Sequence, residues 1–354
     1  MSVPSPLYVP VLPLRHHARL AYRDLAPEVR AALAPLWNVP AFPGAPPATL
    51  REASWKDELT GLMGEHGGHP GWIDAPFAEE AHVPELAALV AECAGLFSPL
   101  RPVTGPDRSP AQRSAALAMA LQHDCGVGVR VRVPGEWHGD TAEGVQDVLT
   151  RLGPGVPVDL LLDLGGVLAG RPDAAKEALR ALDALWPLAE WRTAAVLSGG
   201  FPQLKGDLLP WETPHREPRT DWRMWQELRA GDRDYLPLLS YGDYGVQPTS
   251  ALARPPGGGS PPWDRLRYTT EDSFVICKVP KGGPHHVARV RAAARRICEL
   301  PDFRGASAGF GETWLRNCAQ GPTTSSEGVG NPTVRLKAGN AQHLTYVARS
   351  LHSH

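Results

Sequence analysis

Little in this 354-residue chain points to covalent or metal cross-linking. Its five cysteines, Cys93, Cys125, Cys277, Cys298 and Cys318, are odd in number and scattered. They argue against a disulfide framework or a zinc cluster, and the thiols are expected to be reduced in a cytoplasmic protein. No apolar run approaches 18 residues, so no membrane helix is expected. Residues 1–15 contain prolines where a signal peptide needs an unbroken apolar stretch. Neither sign of charge prevails: 36 Lys+Arg against 38 Asp+Glu leave a net charge of −2. That excludes a global attraction to nucleic acid or to acidic membranes and leaves room for a local basic patch. Also missing are His-Glu-x-x-His, Cys-x-x-Cys and a glycine fingerprint after the first apolar run, and Ser198, in Leu197-Ser198-Gly199-Gly200, does not sit in a Gly-x-Ser-x-Gly elbow. A divalent metal held by scattered Asp and His is not signalled, and no cofactor is assigned.

What is present is a beat. Eight times an apolar, strand-like run is followed by a helix-like run. Strands are predicted over Tyr8–Leu14, Pro35–Val39, Trp72–Phe77, Pro99–Thr104, Gly126–Val133, Val158–Leu164, Arg192–Leu197 and Tyr235–Leu239. Val158–Leu164 is nearly continuous apolar sequence, as a strand buried on both faces requires. The alternation predicts an α/β fold, a (β/α)₈ TIM-barrel-like single domain. A doubly wound open sheet is the runner-up. Residues 1–250 are expected to supply the eight units. Residues 251–354 would add a β-hairpin (Arg265–Tyr268 with Phe274–Val279), the last barrel helix (His285–Leu300) and a tail helix (Ala341–Leu351). Ser109 and Pro110 read as the N-cap and first residue of a helix.

A barrel gathers the polar residues at its strand carboxyl ends into one mouth. Those ends are Arg15, Asn38, Asp74, Thr104, Arg132, Asp163, Ser198 and Asp243. Asp163 follows Leu160-Leu161-Leu162, where an ionised carboxylate is costly unless paired. It reads as a general base, a metal ligand or the partner of an arginine, and equally as half of a buried salt bridge. Arg15 and Arg132 offer planar forks suited to phosphate or carboxylate. Ser198-Gly199-Gly200 stands where many barrels cradle a phosphate, although a plain tight turn fits as well. Tyr241 and Tyr244 flank Asp243 and could stack a ring or simply pack.

The chain resembles the beta protein family, named after a protein of a T-even bacteriophage. The resemblance rests on Tyr8-Val9-Pro10-Val11-Leu12, Leu25–Arg30, Pro35–Pro40, Ser198–Pro202, Tyr241-Gly242-Asp243-Tyr244, Arg267-Tyr268-Thr269 and Gln342-His343-Leu344-Thr345. It gives weight to Asp243, Arg267 and His343, which match motif positions. The chain departs from the family in carrying Asn38 in place of an acid and Gln342 in place of the first of two histidines. The resemblance implies a phage or bacterial setting, among mobile or defence genes, and no particular reaction.

These readings lead to two expectations. The first is a barrel that binds or processes a phosphate-bearing ligand, a nucleotide or nucleic acid. Arg15, Arg132, Ser198, Gly199, Tyr241, Tyr244 and Arg267 would hold it, with Asp163, Asp243 and His343 as the catalytic groups. The second is an inert barrel that recognises a partner protein encoded by a neighbouring gene. An open mouth with converging carboxylates favours the first, and a mouth filled by apolar side chains the second.

Overall fold

The computed structural model describes residues 7–47, 54–66, 68–94, 100–255, 262–322 and 324–353. The middle of the predicted loop Arg254–Pro262 and the side chain of Cys93 lie outside the described residues.

Eight parallel strands close into a barrel. They are β1 (Tyr8–Pro13), β2 (Leu36–Asn38), β3 (Trp72–Asp74), β4 (Arg101–Thr104), β5 (Val127–Arg132), β6 (Val158–Gly166), β7 (Trp191–Gly199) and β9 (Leu239–Asp243). Register runs from Val11 opposite Leu36 round to Val9 opposite Gly242, which seals the ring. Helices cover the wall: α1 (His16–Arg23), α2 (Pro27–Ala31), α3 (Ser54–His66), α4 (Val83–Ala94), α5 (Pro110–His123), α6 (Asp140–Leu152), α7 (Ala174–Leu185) and α8 (Thr220–Arg229). Ser109 caps α5 reciprocally with Gln112, as the sequence predicts. The last barrel strand begins later than expected. Leu236–Leu238 form a 3₁₀ turn, because Pro237 has no N–H to give a ladder.

Alternation along each strand sorts side chains to the two sides of the wall. The inside is layered. At the bottom, Asp159 accepts from Trp72 Nε1 at 2.9 Å and from Arg192 at 2.8 and 2.6 Å. The middle is apolar, with Val9, Val11, Leu36, Val103, Leu161, Ala195 and Leu197 in one cluster. Tyr244 and Leu252, from the segment after β9, join that cluster from above. The outside carries the larger core, including Tyr8, Trp37, Leu160, Leu162, Val196 and Tyr241.

A second body is inserted between β9 and the C-terminal helix. The predicted hairpin is there, as β10 (Trp263–Thr269) and β11 (Ser273–Pro280). A third strand that the sequence reading missed, β8 (His215–Pro218), extends it. Two helices, α9 (His286–Cys298) and α10 (Phe310–Gln320), cover this sheet. Val290, Ala294 and Ile297 of α9 pack on Leu266, Val275 and Cys277. So the helix expected to close the barrel serves the inserted sheet instead. The barrel's last helix is α11 (Pro332–Ser353), which is longer than predicted. Its Ala341, Leu344, Val347 and Ala348 belong to the barrel's outer core. Burial of Leu344 alone contributes about 1.5–3 kcal/mol. Helix α10 was not foreseen. It crosses α11 closely at Gly311, where a Cβ would stand 2.4 Å from Gln342 Cβ.

Cys125, Cys277, Cys298 and Cys318 form no disulfide. Among the described residues, no helix is long and apolar enough to cross a membrane. No group of three or more His, Cys, Asp or Glu among them is placed to hold a metal ion.

Candidate functional site

The top layer inside the barrel is built from Asn38, Asp74, Arg130 and Asp163, each from a different strand. Arg130 donates from Nε and Nη2 to Asp163 Oδ2 at 3.0 and 2.7 Å. Its Nη1 reaches Asn38 Oδ1 and Asp74 Oδ2, both at 2.7 Å. Arg108 Nη2 holds the two oxygens of Asp74 at 3.1 and 2.9 Å. Asp163 Oδ1 accepts from the Tyr244 hydroxyl at 2.6 Å and from Gly165 N–H at 2.9 Å. All these side chains are buried. Burial alone would raise the Asp163 carboxyl, but Arg130, Tyr244 and the Gly165 amide outweigh it and hold it below the usual range. Each Asp163 oxygen already takes two hydrogen bonds. The arrangement is a closed ion-pair lock, with no acceptor left over for a substrate proton.

Arg132, expected beside Asp163, lies one step further along the same face of β5 and is exposed. Arg130 takes its place. The signal was in the sequence: Gly128, Arg130 and Arg132 share one face, and the residue level with the top of the apolar layer is Arg130.

Asp243 does not join this group. Gly242 faces inward, where a Cβ would meet Leu197 Cδ2 at 2.3 Å, so Asp243 faces out. Its Oδ1 accepts from the Tyr8 hydroxyl at 2.8 Å and from Gly245 N–H at 2.9 Å. Its Oδ2 meets His343 Nε2 at 2.9 Å, and His343 Nδ1 meets Thr269 Oγ1 at 2.9 Å. Gln342 binds both the N–H and the C=O of Thr269, at 2.7 and 2.9 Å. The Asp–His–Thr order resembles a nucleophile relay, but Asp243, His343 and Thr269 are all buried, which leaves no approach for a substrate. Burial would raise the Asp243 carboxyl, and His343, Gly245 and Tyr8 bring it below its ordinary value. The geometry ties α11 and β10 to the barrel wall.

Tyr241 also faces out. It stacks on Tyr8 at 5.9 Å and donates to Asp221 Oδ2 at 2.8 Å. Ser198 and Gly199 are buried rather than open as a phosphate cradle. A Cβ on Gly199 would stand 2.4 Å from Thr249 Cγ2, and one on Gly200 would stand 2.1 Å from Asp221 Oδ1. These glycines admit close neighbours.

The remaining candidates, Arg15 and Arg267, belong to an arginine-rich rim beside the end of β1. Arg15 Nη2 donates to the backbone carbonyl of Arg254. Arg267 Nη1 donates to the carbonyl of Arg265 at 3.0 Å. Arg15 Nε, Arg265 Nη1 and Arg267 Nε are buried and have no hydrogen-bond partner among the described residues. Burial lowers all three pKa values, and like charges add to it: Arg254 acts on Arg15 and Arg265, and Arg265 acts on Arg267. Arg267 is pushed down to about 9, which still leaves it charged at neutral pH. His17 is held neutral, at about 4, by burial and by Arg15 and Arg267, against a hydrogen bond with Gln247. The carboxylates that act on these arginines are otherwise engaged: Glu58 with Arg19 at 2.5 Å and Asp264 with Arg335 at 3.3 Å. Arg265 and Arg254 were missed in the sequence because, unlike Arg267, neither falls on a motif of the family resemblance.

Fold and rim together define a (β/α)₈ barrel that carries an inserted sheet-and-helix body. The family profile described as Beta protein matches residues 8–349, and the chain belongs to that family. Comparison with the curated proteins finds no match. Among solved structures, the chain is similar to a GH10 xylanase of Thermobacillus composti, with 12% identity and a TM-score of 0.36. That match covers 68% of this chain and 83% of the xylanase. It is also similar to a 3-keto-D-glucoside 4-epimerase of E. coli, with 11% identity and a TM-score of 0.34, over 70% of this chain and 96% of the other.

Proposed function

We propose that this protein binds a phosphate-bearing ligand, a nucleotide or nucleic acid, at the arginine rim formed by Arg15, Arg254, Arg265 and Arg267. One observation carries the reading: several guanidinium groups crowd together with buried, unpartnered N–H donors and with their nearby carboxylates engaged elsewhere. Phosphate oxygens would supply the missing acceptors and offset the mutual repulsion. Recognition without catalysis is the form we favour. Asp163 and Asp243 are saturated with hydrogen bonds, and Tyr244 and Leu252 fill the mouth from above. A role in phage–host conflict or antiviral defence, within the cytoplasm, is the setting we propose from family membership. That same filled mouth also supports the other reading, an inert barrel that recognises a partner protein.

The test is equilibrium binding of labelled nucleotides and short single-stranded oligonucleotides at about 50 and 200 mM salt. Saturable binding that weakens with salt is expected, with at least a tenfold loss in Arg15→Ala and in Arg265→Ala. Equal affinity in these variants, or no binding to the wild type, overturns the rim as the site.

A further inference from the structure

On the outer wall, a cleft of about 560 Å³ lies between α8, the β10–β11 turn, the chain near Arg304, and α11. A neighbouring hollow of about 400 Å³ shares Arg219, Trp222, Arg304 and Tyr346 with it and extends towards Ser350. The combined space suits a small molecule.

At its inner end stands Arg219, only 2% exposed. Arg219 Nη1 donates to the carbonyls of Thr270 and Glu271, at 3.2 and 3.4 Å. Its Nε and Nη2 are buried and have no partner at full hydrogen-bond geometry among the described residues. Burial works against its charge, but Tyr241, Asp221 and Asp243 outweigh burial and raise its pKa. Tyr241 lies within hydrogen-bond reach of the guanidinium, and none of the three saturates it. Tyr241 donates to Asp221, and Asp243 is held by His343. Burial raises the Asp221 carboxyl above its ordinary value, which weakens it as a counter-ion. The guanidinium is framed by rings, with its Cζ 5.2 Å from the Trp222 centroid and 5.8 Å from that of Tyr346. Arg304 Cζ sits 4.7 Å from the same Tyr346 ring.

We propose that this cleft is a second ligand site, separate from the rim, for a compact oxyanion carrying a flat ring. The oxyanion, phosphate or carboxylate, accepts from Arg219 Nε and Nη2. The ring lies against Trp222 and Tyr346. Glu271 and Asp272 stand exposed at the edge of the cleft and oppose a polyanionic strand. The site therefore selects a small ligand whose charge lies at the inner end.

Calorimetric titration of the full chain with AMP, benzoate and the neutral control adenosine tests this. AMP or benzoate is expected to bind saturably, with adenosine at least tenfold weaker. Arg219→Gln should weaken the anion at least tenfold, and Tyr346→Leu severalfold. Absence of binding by both anions overturns the proposal. So does unchanged affinity in a folded Arg219→Gln, or in Tyr346→Leu should the arginine variant fail to fold. AMP binding that is lost in Arg15→Ala but kept in Arg219→Gln assigns AMP to the rim and also overturns the second site. Loss in Arg219→Gln with retention in Arg15→Ala supports the cleft whatever the fate of the rim.

Discussion

Replacing Arg130 by methionine tests whether the top of the barrel is a lock or a reaction centre. The change keeps much of the side-chain volume and removes the charge that bridges Asp74 and Asp163. Asp74 retains Arg108, and Asp163 retains Tyr244 and Gly165. Breaking a buried pair from one side costs about 3–5 kcal/mol, since a carboxylate is left without its counter-charge. At about 2.1 cal/mol/K of unfolding entropy per residue over 354 residues, each kcal/mol moves Tm by about 1.4 °C. Scanning calorimetry at pH 7 should therefore show a fall of about 4–7 °C. A pH series adds a sharper check. In the wild type, Asp163 is depressed below its unfolded value, so its contribution is present above that value and lost as pH falls through the folded one. In Arg130→Met, burial acts with less opposition and raises the carboxyl, so this variant gains stability, relative to the wild type, as pH falls. The deficit should narrow from pH 8 to pH 5. A deficit below about 1 kcal/mol, or one that does not change with pH, refutes the lock.

Two further outcomes follow from the same geometry. His343→Leu removes the partner of Asp243 and of Thr269, and urea denaturation should show a loss of about 3–5 kcal/mol; a loss under about 1 kcal/mol would dismiss the pair as a structural tie. His17, with a folded pKa of about 4, binds protons more weakly than the unfolded chain, so its contribution is present above about pH 6.5 and lost as pH falls towards 4. Between pH 7 and pH 5 this amounts to about 2 kcal/mol, and the loss should be missing from His17→Gln when the two midpoints are compared.

The alternation of apolar runs disclosed the barrel because most barrel strands are buried on both faces and read as apolar blocks; β4, Arg-Pro-Val-Thr, is the weakest of them. Val158–Leu164 and Gly126–Val133 are the plainest cases, and β6 and β5 lie there. The short, polar β8, His-Arg-Glu-Pro, carries no such block and pairs only because β11 offers an edge. Helix α10 was hidden by Gly309 and Gly311, which serve its contact with α11. At the site, Asp163 stood out because a carboxylate after three leucines demands a partner. Which arginine answers it depends on counting by twos along β5. The same count separates Asp243 from Asp163, one on each side of the wall. Arg15 and Arg267 were visible as cations, but their neighbours Arg254 and Arg265 reach them only through the chain's return after β9.

The placement of α11 has a consequence for synthesis. The last strand of the ring ends at Asp243, yet the helix that covers the seam against α1 spans Pro332–Ser353. Between them lies a body with a hydrophobic core of its own, able to organise as it leaves the ribosome. The parts of α1 and β1 that meet α11 stay uncovered until that helix emerges. A nascent chain thus carries an unfinished wall from the emergence of β9 until α11 follows.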